Sequence, residues 1–376
     1  MHGLSGLASA REHWERLTRH DHRYWLQFPY FEEMLCHVPW GGDSVAFHLW
    51  RDATGCVQAI VPLRFQRLPI RRVSFKCAVL VASTFDEVTC QSSSCDFPCA
   101  GPAEAERALR AVVAHLRRAP DKSSVLLLGR VTRHSAAYAA ASAVETSTRR
   151  FAAVGGSKWI SVDRPFTELK KALSGKFKIS LRSTRRNLDT LGLVEFGSTV
   201  RGDADFDRVF DEFLQIEASG WKGAHGTGTG LLVNATSNQR DFLTALARRS
   251  DVSTMELHWL TVNGECIASQ LWMREGTCRV AFKIGYREEY ARYQPGHLLI
   301  EHVLADSCAD ATLKNVDFVS DAAWLDKWRV EYEPWYHCYL PVSRVGGTLA
   351  SQLLRVPSRD QWRIPFSGAA NAKRPD

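Results

Sequence analysis

Residues 255–320 constrain this chain more than any other stretch, because hydrophobic period and turn chemistry change there in a fixed order. Met255–Val262 alternates around Leu257, Trp259 and the β-branched Thr261 and Val262, which predicts a strand. Asn263-Gly264 supplies the two positive-φ residues of a type I′ hairpin turn, and Glu265–Trp272 pairs back. Cys278–Tyr286 predicts a third strand, whose pattern breaks over Arg287–Gln294. Pro295-Gly296 precedes a helix over His297–Ala309, with Leu298, Leu299, His302, Val303 and Ala305 toward one side. Leu313–Ser320 reads as a buried strand. A strand that passes through a glycine turn into a helix aims freed backbone N–H groups and a positive dipole at one place, which suits a phosphate.

The chain of 376 residues, 45% hydrophobic, is long enough for two domains with sizeable cores. Apolar runs such as Val125–Leu128 and Leu298–Ile300 are too short to span a bilayer. Met1–Ala10 lacks the basic and long apolar regions of a secretion signal, so a cytoplasmic location is expected. The ten cysteines are scattered, mostly inside apolar patterns where a reduced thiol packs as a small hydrophobe. Cys90, Cys95 and Cys99 lack C-x2-C spacing and a nearby histidine, so no metal is expected. The formal charge of +7 permits a polyanionic partner without demanding one.

Residues 1–155 read as a first domain, 156–345 as a second and 346–376 as a frayed tail. The first carries the hairpin Ser44–Phe65, the helix Glu104–Arg118, the strand Ser123–Leu128 and an Ala- and Ser-rich helix before a Gly155-Gly156 boundary. Its hairpin, Phe47-His48-Leu49 followed by Cys56-Val57, faintly echoes Leu257-His258-Trp259 followed by Cys266-Ile267. The second opens with a helix capped by Thr167, loosened at Ser174-Gly175 and stopped at Gly192, and Val194–Gly197 follows as a strand. Amphipathic helices over Phe206–Ser219 and Ser237–Ser250 then lead into the core described above.

The loop Gly220-Trp221-Lys222-Gly223 with Gly226, Gly228 and Gly230 lacks the Gly-Lys-Ser/Thr of a P-loop and follows a helix, so it reads as a loop bordering a site. His302 and Asp306 form an H-x-x-x-D string, more simply an i,i+4 contact on one helix. No G-x-S-x-G elbow or H-E-x-x-H motif is present. The run Lys170–Arg186 is either a solvated helix face or a surface for phosphates; no aromatic RNA-binding platform accompanies it, and no DNA partner is expected. Glu256 and His258 share one face of the first core strand, which makes Glu256 either a general base or a solvent-facing carboxylate.

Glu217-Ala218-Ser219-Gly220-Trp221-Lys222-Gly223 with Gly226-Thr227 resembles the E-x-x-x-W-K-G…G-T signature of the CelD-like acyltransferase domain in the GNAT superfamily. The basic helix Phe177–Gly192, Lys283-Ile284-Gly285-Tyr286, Tyr293-Gln294-Pro295-Gly296-His297-Leu298-Leu299, Val316-Asp317-Phe318 and Lys327-Trp328 resemble it in the same order. The chain departs at Gln294, where serine is usual, and at Ser320–Asp326, which lacks the usual glycine and tyrosine. The resemblance implies an α/β (α+β) fold of tandem GNAT-like domains, each a mixed, mostly antiparallel sheet flanked by helices, as in FemAB-type transferases.

It also implies N-acyl transfer from acetyl-CoA or another acyl-CoA to a small-molecule or saccharide amine, such as an amino sugar, a polysaccharide precursor, an amino acid or a metabolite. On that reading Gly296, His297 and Leu298 hold the pyrophosphate through their amides, and Tyr293 and Lys283 border the cofactor. Trp221, Lys222, Tyr286 and Arg185 meet substrate. Glu256 is the base, Asp317 and Lys327 form a pair or contact an acceptor phosphate, and Tyr332 or Tyr336 protonates the leaving thiolate. The alternatives are a FemAB-like transferase using aminoacyl-tRNA and a non-catalytic subunit of an exopolysaccharide assembly. The oligomeric state is not set by these patterns.

Overall fold

The structure is a computed structural model that describes residues 1–38, 42–70, 73–81, 94–119, 123–144, 149–219, 230–232, 238–249, 251–252 and 255–353. In chain order the elements are α1 (Gly3–Thr18), α2 (Phe28–His37), β1 (Val45–Arg51), β2 (Val57–Ile70), β3 (Val73–Leu80), α3 (Pro102–Arg118), β4 (Val125–Val131), α4 (Ala136–Ala143) and β5 (Arg150–Ser161). There follow α5 (Phe166–Ala172), α6 (Gly175–Asp189), β6 (Val194–Val200), α7 (Phe206–Ser219), α8 (Gln239–Arg248), β7 (Met255–Val262), β8 (Glu265–Glu275) and β9 (Cys278–Tyr286). The last are α9 (Pro295–Ala309), β10 (Asn315–Asp317), β11 (Glu331–Pro341) and α10 (Arg344–Leu353).

Among the described residues, all the strands join one 11-stranded sheet in the order β1-β2-β3-β4-β11-β5-β10-β9-β8-β7-β6. The hairpin echo is a repeat of topology. β1, β2 and β3 pair antiparallel and β3 meets β4 in parallel, as β7, β8 and β9 pair antiparallel and β9 meets β10 in parallel. The expected mixed α/β fold, with a mostly antiparallel sheet flanked by helices, is what the structure has. One face packs on α1, α2, α7 and α8; the other packs on α3 and α4 in the first half and on α5, α6 and α9 in the second.

The I′ turn forms as the sequence dictates, with Asn263 at φ 50° and Gly264 at φ 81°. Three expectations change. Gly155-Gly156 lies inside β5, not at an end, because that strand runs on to pair with both β11 and β10. The strand expected over Leu313–Ser320 is regular only for Asn315–Asp317; Phe318 then turns to bond Lys158. Residues 346–353 of the expected tail belong to α10, whose Ala350 is fully buried against β3, β4 and β11.

β9 and β10 are paired over only three residues, ending at Val280 and Asp317, and β9 continues to Tyr286 without β10 beside it. The two strands therefore part. In the first half, the buried segment Ser94–Phe97 lies beyond the end of β3, with Cys95 N–H bonded to Arg130 O of β4 and Ile60 N–H of β2 bonded to Pro98 O. That segment closes the gap, and the fully buried Asp96 side chain fastens it, accepting from the Ala136 and Ala137 amides and from Arg23. An open parting is left in the second half.

Candidate active site

The site begins with packing. α7 lies so close to β9 that a Cβ on Gly285 would stand 2.6 Å from the Glu217 Cα. Glu217, 1% exposed, accepts the Leu231 amide at 2.7 Å and so ties the end of the glycine-rich loop to α7. The leading acid of the E-x-x-x-W-K-G string is thus a loop anchor. Trp221 and Lys222 fall outside the described residues.

Where β9 ends, the chain turns through Gln294 in the left-handed region (φ 44°) and enters α9 at Pro295. Between the end of β9 and the start of α9 is a cleft of about 270 Å³, lined by Ile284, Gly285, Tyr286, Gln294, Gly296, His297, Ile300 and Trp324, among others. A Cβ on Gly296 would meet only Tyr286 Cδ1, at 3.8 Å, so the glycine opens onto free space. Of the amides expected to hold a phosphate, His297 N–H and Leu298 N–H both already donate to Gln294 O, at 3.0 and 3.3 Å. This corrects the expectation of a three-amide cradle: Gly296 N–H is the amide of this turn that the Gln294 carbonyl does not take.

His297 backs the cleft inside an aromatic box. Its ring lies 5.4 Å from Phe177, 5.6 Å from Trp324 and 6.0 Å from Trp328, and its Nδ1 accepts from Trp328 Nε1–H at 3.2 Å. Burial, with the Lys327 ammonium nearby, pushes its pKa down to about 4. Lys327 is exposed, with Nζ 6.0 Å from the Phe177 ring centre. Tyr286 lines the cleft, and burial raises its phenol pKa.

The other expected residues are dispersed. Glu256 is 8% exposed and bonded to Arg279 Nε at 2.7 Å, with Arg274 at 3.5 Å and His258 at 3.7 Å. Arg279 also grips Asp306 and Ser307 near the far end of α9. With ~1.5 Å of rise per residue, that end is about 15 Å from Gly296. Burial raises the Glu256 pKa, but the His258 contact and the arginines outweigh it, and the net shift is downward. The structure separates Glu256 from the cleft and weakens it as a base. His302, meanwhile, stacks on Phe196 at 4.6 Å, so the H-x-x-x-D residues are engaged apart.

Asp317 does not pair with Lys327. Its carboxylate takes the Ser157 hydroxyl and the Val319 amide, at 2.7 Å for the latter. Burial raises its pKa. In this segment it is Asp326 that meets a lysine, Lys158, at 2.6 Å. Val319, just beyond Asp317, holds φ 46°, a strained angle for a β-branched residue, at the point where β10 leaves β9. Lys283 reaches across to Gln239 at 2.9 Å, Arg185 is held by Asp189 at 2.9 Å, and the Tyr293 hydroxyl takes Arg292 at 2.6 Å. Tyr336 packs on Tyr138 at 5.6 Å beside Arg133, in the first half, and Tyr332 is exposed over Gly156.

Trp324, Ile300 and Phe177 were missed as site residues. The signal was the Trp324/Trp328 spacing of four, one helical turn, and the cleft-facing register of α9. Among the described residues, no group of three or more metal-ligating side chains converges, and no helix is long and apolar enough to cross a membrane.

Residues 175–328 match the family model of an acetyltransferase (GNAT) domain. None of the curated proteins compared matches the chain. Among solved structures, the chain is similar to the C-terminal domain of a putative lysylphosphatidylglycerol synthetase from Agrobacterium fabrum, at 11% identity and a TM-score of 0.54, covering 93% of this chain and 96% of that one. It is also similar to a conserved protein of unknown function from Bacteroides thetaiotaomicron (11%, TM-score 0.53, 88% and 97%) and to L-PGS from Bacillus licheniformis (11%, TM-score 0.51, 91% and 95%). At such identity the likeness speaks for the fold alone. The parted strands, the cleft at the head of α9 and the matched segment lie together: the chain has a mixed α/β fold whose residues 175–328 match the GNAT acetyltransferase domain.

Proposed function

We propose that the protein is an acyl-CoA-dependent N-acyltransferase of the CelD-like kind, with the donor in its second half and an amine as acceptor. The observation that carries this is the opening between β9 and β10 that ends in the cleft at the α9 N-terminus. Gly296 leaves room for a phosphate at the positive end of a 15-residue helix. The β9 backbone beyond Val280, freed from β10, can bond an extended amide-bearing arm as a strand would. The closed first half, plugged by residues 94–99, offers no second opening of this kind among its described residues.

The reaction joins the acceptor nitrogen to the thioester carbonyl carbon and breaks the carbon–sulfur bond, and the thiolate leaves with a proton. The amine must first lose its own proton. Asp317 replaces Glu256 as the base in this reading, because it stands where the strands part and burial raises its proton affinity. Ser157 and the Val319 amide hold its carboxylate in place. Amino sugars, polysaccharide precursors, amino acids and other amine metabolites all satisfy this chemistry.

Isothermal titration with acetyl-CoA tests the reading. Wild type and Gly296→Ala bind, whereas Gly296→Trp, whose ring fills the cleft, loses affinity at least tenfold. No heat with wild type, or an unchanged affinity in Gly296→Trp, ends it. A second reading, transfer from aminoacyl-tRNA, draws on the exposed Lys176, Arg182 and Arg186 of α6. Aminoacyl-tRNA supporting transfer in the absence of any acyl-CoA would favour it.

A further inference from the structure

The head of α9 is short of backbone donors. Pro295 has no N–H, and the amides of His297 and Leu298 are spent on Gln294 O. A diphosphate placed there needs donors from side chains. One side chain in the cleft is fixed to serve. The indole nitrogen of Trp328 can only donate, so its 3.2 Å bond to His297 Nδ1 requires a lone pair on that atom. The ring proton then resides on Nε2. Phe177, Trp324 and Trp328 enclose the ring and hold its plane. Burial disfavours the charged imidazole, the Lys327 ammonium adds to it, and a proton on Nδ1 would face the indole N–H, so the ring stays neutral across physiological pH.

We propose that the His297 side chain, locked by Trp328 as the Nε2–H tautomer, donates a directional hydrogen bond to a diphosphate oxygen of the acyl carrier, while the exposed Lys327 supplies the positive charge. This rests on the acyl-CoA reading of the cleft. It assigns His297 a positioning role through its side chain in place of its amide. It also gives a reason for the Trp328 and Lys327 pair: one sets the proton, the other the field. Because the donor does not titrate above about pH 5, carrier affinity is flat with pH where an ordinary histidine would switch.

Two measurements decide it. In 15N-resolved NMR of the ligand-free protein, His297 shows the Nε2–H tautomer and no titration between pH 5.5 and 8; Trp328→Phe, which keeps the burial but removes the indole donor, releases the tautomer. In calorimetry, His297→Leu weakens CoA binding roughly tenfold to a hundredfold, the range of a hydrogen bond to a charged group, and leaves binding of pantetheine, which has no diphosphate, unchanged. His297→Gln, whose amide nitrogen can take the Nε2 position, recovers most of the loss. An Nδ1–H tautomer, wild-type CoA affinity in His297→Leu, or equal losses for CoA and pantetheine would overturn the proposal while leaving the acyl-CoA reading intact. Failure of wild type to bind CoA at all would remove both.

Discussion

At the scale of single residues, the decisive fact is what each charged group already holds. Glu256 looked available because its strand neighbours suggest an open polar face, yet its carboxylate neutralises the buried Arg279. Glu256→Gln is therefore expected to cost about 3 kcal/mol of stability, the scale of breaking a buried ion pair. The pH profile of acyl transfer per folded molecule should stay where it was. A lost acid limb in that profile, with stability intact, would restore Glu256 as the base. Three histidines give the molecule an acid limit. His48 and His297 are pushed down to about 4 and His337 to about 3, mainly by burial. Between those values and about 6.5 the unfolded chain binds protons that the native protein does not, so stability rises with pH through this window and is lost as pH falls. Denaturant midpoints from pH 4 to 7 check the slope, and His297→Gln should flatten part of it.

At the scale of elements, two glycines in one neighbourhood carry opposite demands. Gly285 is needed because the α7 backbone presses on β9, and a methyl group there would sit 2.6 Å from the Glu217 Cα and 2.9 Å from its amide nitrogen. Neither backbone atom can yield without moving a helix. Gly285→Ala is expected to destabilise by about 2–3 kcal/mol, in the range of overpacked cores, and to loosen the Glu217–Leu231 tie. Gly296→Ala, by contrast, meets nothing nearer than 3.8 Å and should leave the melting temperature within a degree or two. Equal effects of the two substitutions on thermal unfolding would mean that α7 does not press on β9 as described.

At the scale of the whole molecule, the two halves exchange strands. β5, between the halves in sequence, pairs with β11 along most of its length and with β10 at its end, while β11 from the end of the chain inserts between β4 and β5. Neither half then owns its edge. We propose that boundaries near 155 and 345 describe two sequence units that fold as one. Calorimetry should show a single cooperative transition, and a fragment of residues 156–345 should fail to fold, because β11 would lose β4 and β5 its first six residues. Two resolved transitions, or a stable fragment, would contradict this.

Much of the fold could be read locally. Phe206–Ser219 is amphipathic through its own residues, and the hairpin over Met255–Val262 and Glu265 onward is set by alternation and by Asn263-Gly264. The turn at Pro295-Gly296 is equally a matter of adjacent residues, so the place of the cleft was visible too. Pairings across the chain were not. β11, Glu331–Pro341, escaped notice because Pro334 and its polar neighbours break any short-range strand pattern, and its partners β5 and β4 lie roughly 170 to 220 residues away. The fate of Glu256, the tautomer of His297 and the partner of Asp317 likewise depend on Arg279, Trp328 and Ser157. The chain's own order of residues decides helices, turns and the alternation of strands, since those follow from neighbours within a few positions. Which carboxylate is free, which ring nitrogen bears the proton and where two strands part were decided only by packing, because each turns on atoms brought together from distant parts of the chain.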